Sequence, residues 1–302
     1  MELNSFQEKM RHFLPEIELR FAEPMSRHTS LRIGGPAEVM AFPQIPQELA
    51  HILKVTKELD ITCAILGAGT NILAPDEGCR GLIICLKDCL GGMEPLPGNC
   101  IRVMAGVTMA RAAVFAANHG LSGLEFAHGI PGTVGGGVYM NAGAYGGEMS
   151  GICRSVTLMD GAGQLREVNA RELEFSYRHS KLQESGEIVI SAALQLQPAA
   201  PEEVKQKMRE LQAKRLASQP LDYPSAGSAF KRPAGGYAAA LIDQAGLRGF
   251  QVGQAAIARK HAGFAINLGG ATAAEMRELL TQVSDRVFRQ TGIRLEPEIR
   301  IW

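Results

Sequence analysis

Aromatic residues are scarce in this 302-residue chain, at 6% with a single tryptophan, so any recognition it performs rests more on backbone conformation than on aromatic stacking. An excess of either charge is also missing, since 31 Lys plus Arg balance 31 Asp plus Glu. No overall field draws the protein to phosphate backbones or anionic lipid, which disfavours nucleic-acid binding. No stretch approaches the roughly 20 apolar residues needed to cross a bilayer. Residues 1–20 interrupt their apolar positions with Glu2, Glu8, Lys9, Arg11 and Glu16, leaving no central run of the secretory kind, so no export is expected. None of the six cysteines falls in a Cys-x-x-Cys pair or beside spaced histidines, which points to reduced, buried thiols and no metal site. Disorder is excluded as well, because 46% of residues are apolar and 21% charged, enough for a sizeable core.

Glycine is what the chain has in excess: 34 residues, about 11% against a usual 7% or so. The apolar pattern around the glycines predicts a strand at 37–42, a helix at 47–59 and buried strands at 61–66 and 81–86, a small β-α-β-β unit. A strand at 101–105 and a helix at 108–119 follow, then a hairpin of 156–159 with 165–168 and a strand at 188–196. Proline brackets a break at 198–201, where a second unit begins with a charged helix over 202–216. Later come a helix near 237–245, a strand near 262–268 and a helix over 272–291, opened by the capping pair Thr272 and Glu275 and closed by Gly292.

Two glycine segments point to chemistry. Gly67-Ala68-Gly69-Thr70-Asn71 follows a buried strand, where nucleotide-binding turns sit. It fails the Rossmann pattern, because Ile72 stands where glycine is wanted and Pro75 obstructs a helix. Successive N–H groups there could still cradle a phosphate, although the residues alone favour an ordinary tight strand connection. The second segment, 129–147, places eight glycines among nineteen residues. Interspersed Ile130, Val134, Val138, Tyr139 and Met140 argue against a solvated loop. Irregular backbone buried here needs something rich in donors and acceptors beside it, and a flat, polar-edged flavin meets that need.

At this point the chain resembles a known family, the UDP-N-acetylenolpyruvoylglucosamine reductases, or MurB flavoenzymes of bacterial cell-wall synthesis. The family's marks occur in order at 27–36, 66–71, 129–147, Tyr177-Arg178-His179-Ser180, 225–233, 260–264 and Leu295-Glu296-Pro297-Glu298-Ile299-Arg300. The resemblance implies an α+β protein: a two-part FAD-binding domain of the vanillyl-alcohol-oxidase (PCMH) type plus a smaller α+β substrate-binding domain. The implied ranges are 1–198 for the first, in halves 1–86 and 87–198, and 199–294 for the second, with 295–302 returning as a strand to the FAD-binding domain. The chain looks like the shorter of the family's two types, which lacks a loop carrying a substrate-clamping tyrosine.

The implied activity is NADPH-dependent reduction of UDP-N-acetylglucosamine enolpyruvate to UDP-N-acetylmuramate through bound FAD, in the cytoplasm. The expected partners are these small molecules, with no nucleic acid or membrane and a monomeric state. Matching residue by residue, Arg178 binds the substrate carboxylate, Ser228 donates a proton with Lys231 or Arg232 near it, and Glu298 polarises the substrate. The resemblance assigns Gly67, Ala68, Gly69, Thr70 and Asn71 to the FAD diphosphate, and Pro131, Gly132, Thr133, Gly136, Asn141, Ala142 and Gly143 to the ring or ribityl chain. Neither segment holds a histidine or cysteine placed to bond to flavin, so noncovalent FAD is expected, with NADPH as co-substrate. Spacing alone favours plainer readings: a surface arginine after a short helix, a turn serine and a solvated edge strand for Glu298. Strand alternation sends Leu295, Ile299 and Ile301 to one face and Glu296, Glu298 and Arg300 to the other. A different oxidoreductase on the same scaffold and a non-catalytic flavin module are the competing readings.

Overall fold

The computed structural model, which describes residues 4–302, divides into two compact units; the first three residues of the expected FAD-binding range lie outside the described residues. One unit comprises the chain to Phe21, Val39–Ala68 and Arg80–Ala213; the other comprises Ala22–Glu38, Gly69–Cys79 and Lys214–Trp302.

In the first unit, helix Pro46–Glu58 opens with proline, whose missing N–H is no loss in a first turn, and buries Leu49, Ile52, Leu53, Val55 and Thr56. It joins a core with Met10, Leu82 and Ile84. Strand Cys63–Leu66 runs parallel to Cys79–Cys85 with Leu66 opposite Cys85, in a four-strand sheet completed by Pro36–Phe42 and Glu18–Pro24. The last of these strands is absent from the β-α-β-β reading, because Glu18 to Pro24 shows no clean alternation: most of its residues are half-buried.

A second, five-stranded sheet of this unit is wholly antiparallel, in the order Leu165–Asn169, Cys153–Met159, Ile188–Gln195, Cys100–Met104, Met93–Leu96. The expected hairpin is present with Met159 opposite Leu165, and Asp160 Oδ1 closes its turn by accepting from the N–H groups of Ala162 and Gln164 at 2.8 and 2.9 Å. Helix Met109–Asn118, capped by Thr108, buries Ala112, Ala113, Ala116 and Ala117. Helix Pro201–Ser218 starts at the expected break, yet its first turns bury Val204 and Met208 in this unit's core, and the unit boundary lies inside the helix.

The 129–147 segment was expected to be irregular, and it is not so throughout. Val134–Tyr139 is a short helix capped by Thr133, whose Oγ accepts from Gly136 N at 3.3 Å. The glycines there permit close packing: a Cβ on Gly135 would stand 2.8 Å from the Cβ of Ala105, whose carbonyl accepts Gly135 N at 3.0 Å.

The second unit carries a four-strand antiparallel sheet ordered Ser225–Ser228, Phe264–Asn267, Ala255–Ile257, Gln251–Val252. Helices Ala238–Gln244 and Ala273–Thr291 supply its core with Ile242, Met276, Leu280 and Val283. The capping box of Thr272 and Glu275 is formed as the sequence indicates, and Asp76 adds to it by accepting from Ala273 N and Ala274 N at 2.7 and 3.0 Å. Buried Asn267 donates to Leu31 O at 2.9 Å and accepts from Gly269 and Ala271, so segment 22–38 is tied to the C-terminal part. The terminal strand Arg300–Ile301 pairs in parallel with Ile72–Leu73. Ile301 is 43% exposed, so the expected alternation holds for buried Leu295 and Ile299 and ends there.

All six cysteines are free, four buried and Cys63 and Cys79 half-buried; burial raises the thiol pKa of Cys85 to about 11 and of Cys153 to about 12. Among the described residues no helix is long and apolar enough to cross a membrane, and no group of His, Cys, Asp or Glu is placed to hold a metal ion.

Candidate active site

Within the first unit, the turn after Leu66 brings Gly67 against Thr133: a Cβ on Gly67 would lie 2.7 Å from Thr133 Oγ. These two expected cofactor residues are therefore neighbours. Pro131 and Gly136 are exposed, Gly132 and Ala142 half-buried, and Gly132 O anchors the helix that follows Thr108 by accepting Met109 N at 2.8 Å.

Arg178 stands on a tight turn in the same unit. Ser176 and His179 exchange two main-chain hydrogen bonds of 3.1 Å around Tyr177 and Arg178. Arg178 adopts φ +56°, a left-handed conformation that costs a non-glycine residue on the order of 1–3 kcal/mol. The guanidinium lies 5.0 Å from the Tyr177 ring centre and donates to Gly143 O at 3.4 Å. Ser180 Oγ donates to Tyr139 O at 2.7 Å, and Gln183 Nε2 donates to Tyr139 O and Arg178 O at 3.2 and 3.0 Å. The short helix Leu182–Ser185 follows Arg178; the plainer reading had one before it, where the chain has the 3-10 turn Ala170–Leu173.

Asn141, expected beside the ring or ribityl chain, is held within the protein. It is 1% exposed, and its side chain is committed to protein, donating to Ser176 O at 3.0 Å and accepting from Ser150 N at 2.9 Å.

Within the second unit, Gly69 has φ +60° and sits so close to His28 that a Cβ would fall 1.9 Å from its carbonyl oxygen; only glycine fits. Thr70 and Asn71 are half-buried beside it. Asn71 Nδ2 donates to Glu298 O at 3.1 Å. Glu298 N donates to Ala229 O at 2.9 Å, and Phe230 and Pro297 form a bridge, so the unit brings the Ser228 and Glu298 segments together. Ser228 is exposed and pairs with Phe264 after a register irregularity between Ser225 and Ser228. A cavity of ≈ 240 Å³ in this unit is lined by Pro220, Tyr223, Ala256, Ala258, Arg259 and Ile266 among others, without Ser228. The cations expected near Ser228 have other partners: Lys231 is paired with Glu296, and Arg232 lies 4.6 Å from the Tyr237 ring centre. Lys260 Nζ donates to Leu216 O at 2.6 Å, and burial holds the His261 pKa below its ordinary value while its Nδ1 accepts from Gly263 N.

Two buried polar atoms beside the glycine segments have no hydrogen-bond partner among the described residues: Ser30 Oγ and His128 Nδ1. Ser30 N donates to Gly69 O at 3.1 Å, and His128 immediately precedes Gly129. Each of these atoms, within its own unit, calls for an outside donor or acceptor, and FAD offers both, so each segment by itself fits that group. Neither residue was assigned from the sequence; Ser30 lay inside the 27–36 stretch, whereas nothing in spacing marks His128.

Residues 37–169 match the FAD binding domain family, and residues 219–302 match the UDP-N-acetylenolpyruvoylglucosamine reductase, C-terminal domain family. A UDP-N-acetylenolpyruvoylglucosamine reductase of Agathobacter rectalis is 44% identical over 98% of both chains, and one of Streptococcus pneumoniae is 41% identical over 98% of both. The crystal structure of the MurB reductase from Thermus caldophilus superposes with a TM-score of 0.78 at 34% identity, covering 95% of this chain and 99% of that one.

Proposed function

The chain belongs to the UDP-N-acetylenolpyruvoylglucosamine reductase family, whose members are oxidoreductases with an FAD-binding domain, and on that premise we propose the specific reaction. The protein reduces UDP-N-acetylglucosamine enolpyruvate to UDP-N-acetylmuramate for peptidoglycan precursor synthesis, in the cytoplasm. Identity above 40% along nearly the whole of two relatives carries this reading. FAD is bound noncovalently and supplies the two-electron carrier between NADPH and the enol ether. Residues 1–198 serve FAD and 199–294 the sugar nucleotide, with 295–302 joining the former.

Gly67, Ala68, Gly69, Thr70 and Asn71 approach the diphosphate, with Ser30 Oγ as an added donor. Pro131, Gly132, Thr133, Gly136, Ala142 and Gly143 border the ring and ribityl chain. Reduction at the terminal carbon throws negative charge onto the carbon alpha to the substrate carboxylate and into the carboxylate itself. Arg178 meets that charge with a planar fork matched to two carboxylate oxygens. Ser228 gives its hydroxyl proton to the alpha carbon, leaving an alkoxide that the site's dipoles and cations must stabilise. Glu298 polarises the enol ether. The cavity beside Tyr223 and Arg259, in the unit that carries Ser228, takes part of the sugar nucleotide. NADPH oxidation that requires the enolpyruvyl sugar nucleotide tests the assignment; oxidation indifferent to it would end it.

A further inference from the structure

We propose that Asn141 is a positioning residue for Arg178, holding the arginine's turn rather than touching the cofactor; this rests on the assignment of Arg178 to the substrate carboxylate. The arginine's left-handed backbone is unfavourable by itself and persists only where surroundings over-determine it. Three groups do so. Asn141 Nδ2 holds the carbonyl at the start of the turn, Ser176 O, at 3.0 Å; Gln183 Nε2 holds the carbonyl of Arg178 itself at 3.0 Å; and Ser180 Oγ fixes the exit to Tyr139 O at 2.7 Å.

Asparagine suits position 141 for two reasons. Its own φ is +43°, a conformation that asparagine tolerates better than most side chains. Its amide also carries donors and an acceptor on one planar group, and the site uses an N–H toward Ser176 O and the oxygen toward Ser150 N. Aspartate would keep shape, backbone tolerance and the bond to Ser150, yet would set an acceptor against the Ser176 carbonyl. Asn141→Asp in its ionised form therefore removes the donor to Ser176 O while keeping the acceptor for Ser150 N.

The test uses FAD-loaded enzyme under anaerobic stopped flow. Asn141→Asp keeps the flavin spectrum and FAD affinity of the wild type and is reduced by NADPH at a rate within about twofold of it, whereas reoxidation by the enolpyruvyl sugar nucleotide slows about 10- to 100-fold, the scale of a misplaced catalytic group. KM rises for the sugar nucleotide and not for NADPH. In an Arg178→Ala background the Asn141→Asp change adds less than about threefold, because residues acting through one another are not additive. Lost FAD affinity, equal slowing of both half-reactions, or a multiplicative double mutant would overturn the proposal. Should Asn141→Asp fail to fold, Gln183→Leu, which releases the same turn from its other side, carries the same expectations and the same refutations. If Arg178→Ala itself leaves reoxidation unchanged, the reading of Arg178 has failed; if Arg178→Ala slows it and both strut variants do not, the positioning role alone has failed.

Discussion

The side-chain amide of Asn71 donates to the main-chain oxygen of Glu298 at 3.1 Å, and the carbonyl of Asn71 accepts the N–H of Arg300 at 3.0 Å. One residue of the first glycine turn thus grips the segment that carries a proposed catalytic carboxylate. Asn71→Leu leaves a half-buried carbonyl without its donor, a loss of about 1–2 kcal/mol. Urea unfolding should register the drop as a lower midpoint; an unchanged midpoint would show that the tie contributes nothing.

Ser228→Ala separates the two halves of the proposed cycle. Flavin reduction by NADPH stays near the wild-type rate, while reoxidation by the sugar nucleotide slows by about 10²- to 10⁴-fold, the usual worth of a positioned proton donor. Equal slowing of both halves in stopped flow would remove Ser228 from that role.

The strain at Arg178 sets stability against activity. Arg178→Asn puts a residue more tolerant of positive φ at +56°, and should stabilise the fold by about 1 kcal/mol while the substrate-dependent step collapses. Thermal unfolding read beside turnover checks both, and a variant both less stable and inactive would contradict the strain argument.

Glycines of helix Val134–Tyr139 differ in what they tolerate. A Cβ on Gly135 would meet Ala105 at 2.8 Å, whereas one on Gly136 finds only Thr133 Oγ at 3.5 Å. Gly136→Ala should stabilise the apoprotein by about 0.5–1 kcal/mol through helix propensity, and Gly135→Ala should destabilise it. If FAD borders this helix as proposed, Gly136→Ala also weakens FAD binding, which fluorescence titration of the apoprotein measures.

These glycines also show where the sequence was legible. Helices at Pro46–Glu58, Met109–Asn118 and Ala273–Thr291 announce themselves through apolar spacing and caps, and the structure shifts their ends by a residue or so. Helix Val134–Tyr139 was hidden because its glycine run, read as poor helix former, is stabilised by close contact with Ala105, a tertiary effect that no local window contains. Strand Glu18–Pro24, mostly half-buried, lacked the two-residue period that marks a half-exposed sheet. At the candidate site, Arg178, Ser228 and Glu298 were visible only through resemblance, since each has an ordinary local reading. The burial of Asn141 depends on Ser150 and Ser176, which are distant enough in sequence to leave no periodic trace.

His261 gives the protein a pH signature. Burial lowers its folded pKa below the ordinary 6.5, and its Nδ1 accepts from Gly263 N at 3.1 Å, a bond that protonation breaks. As pH falls through 6.5 the unfolded chain takes up a proton that the folded protein resists, so stability declines until the folded pKa is passed. Thermal unfolding midpoints of the wild type should fall more steeply than those of His261→Gln between about pH 7 and pH 5. Parallel curves would show that the imidazole is not desolvated as described.

The most direct measurement is an anaerobic visible spectrum of the purified protein, taken alone, after NADPH, and after the enolpyruvyl sugar nucleotide. The account predicts a flavin band that NADPH bleaches and the sugar nucleotide restores. A protein without the band, or one whose bleached flavin ignores the sugar nucleotide, would contradict it.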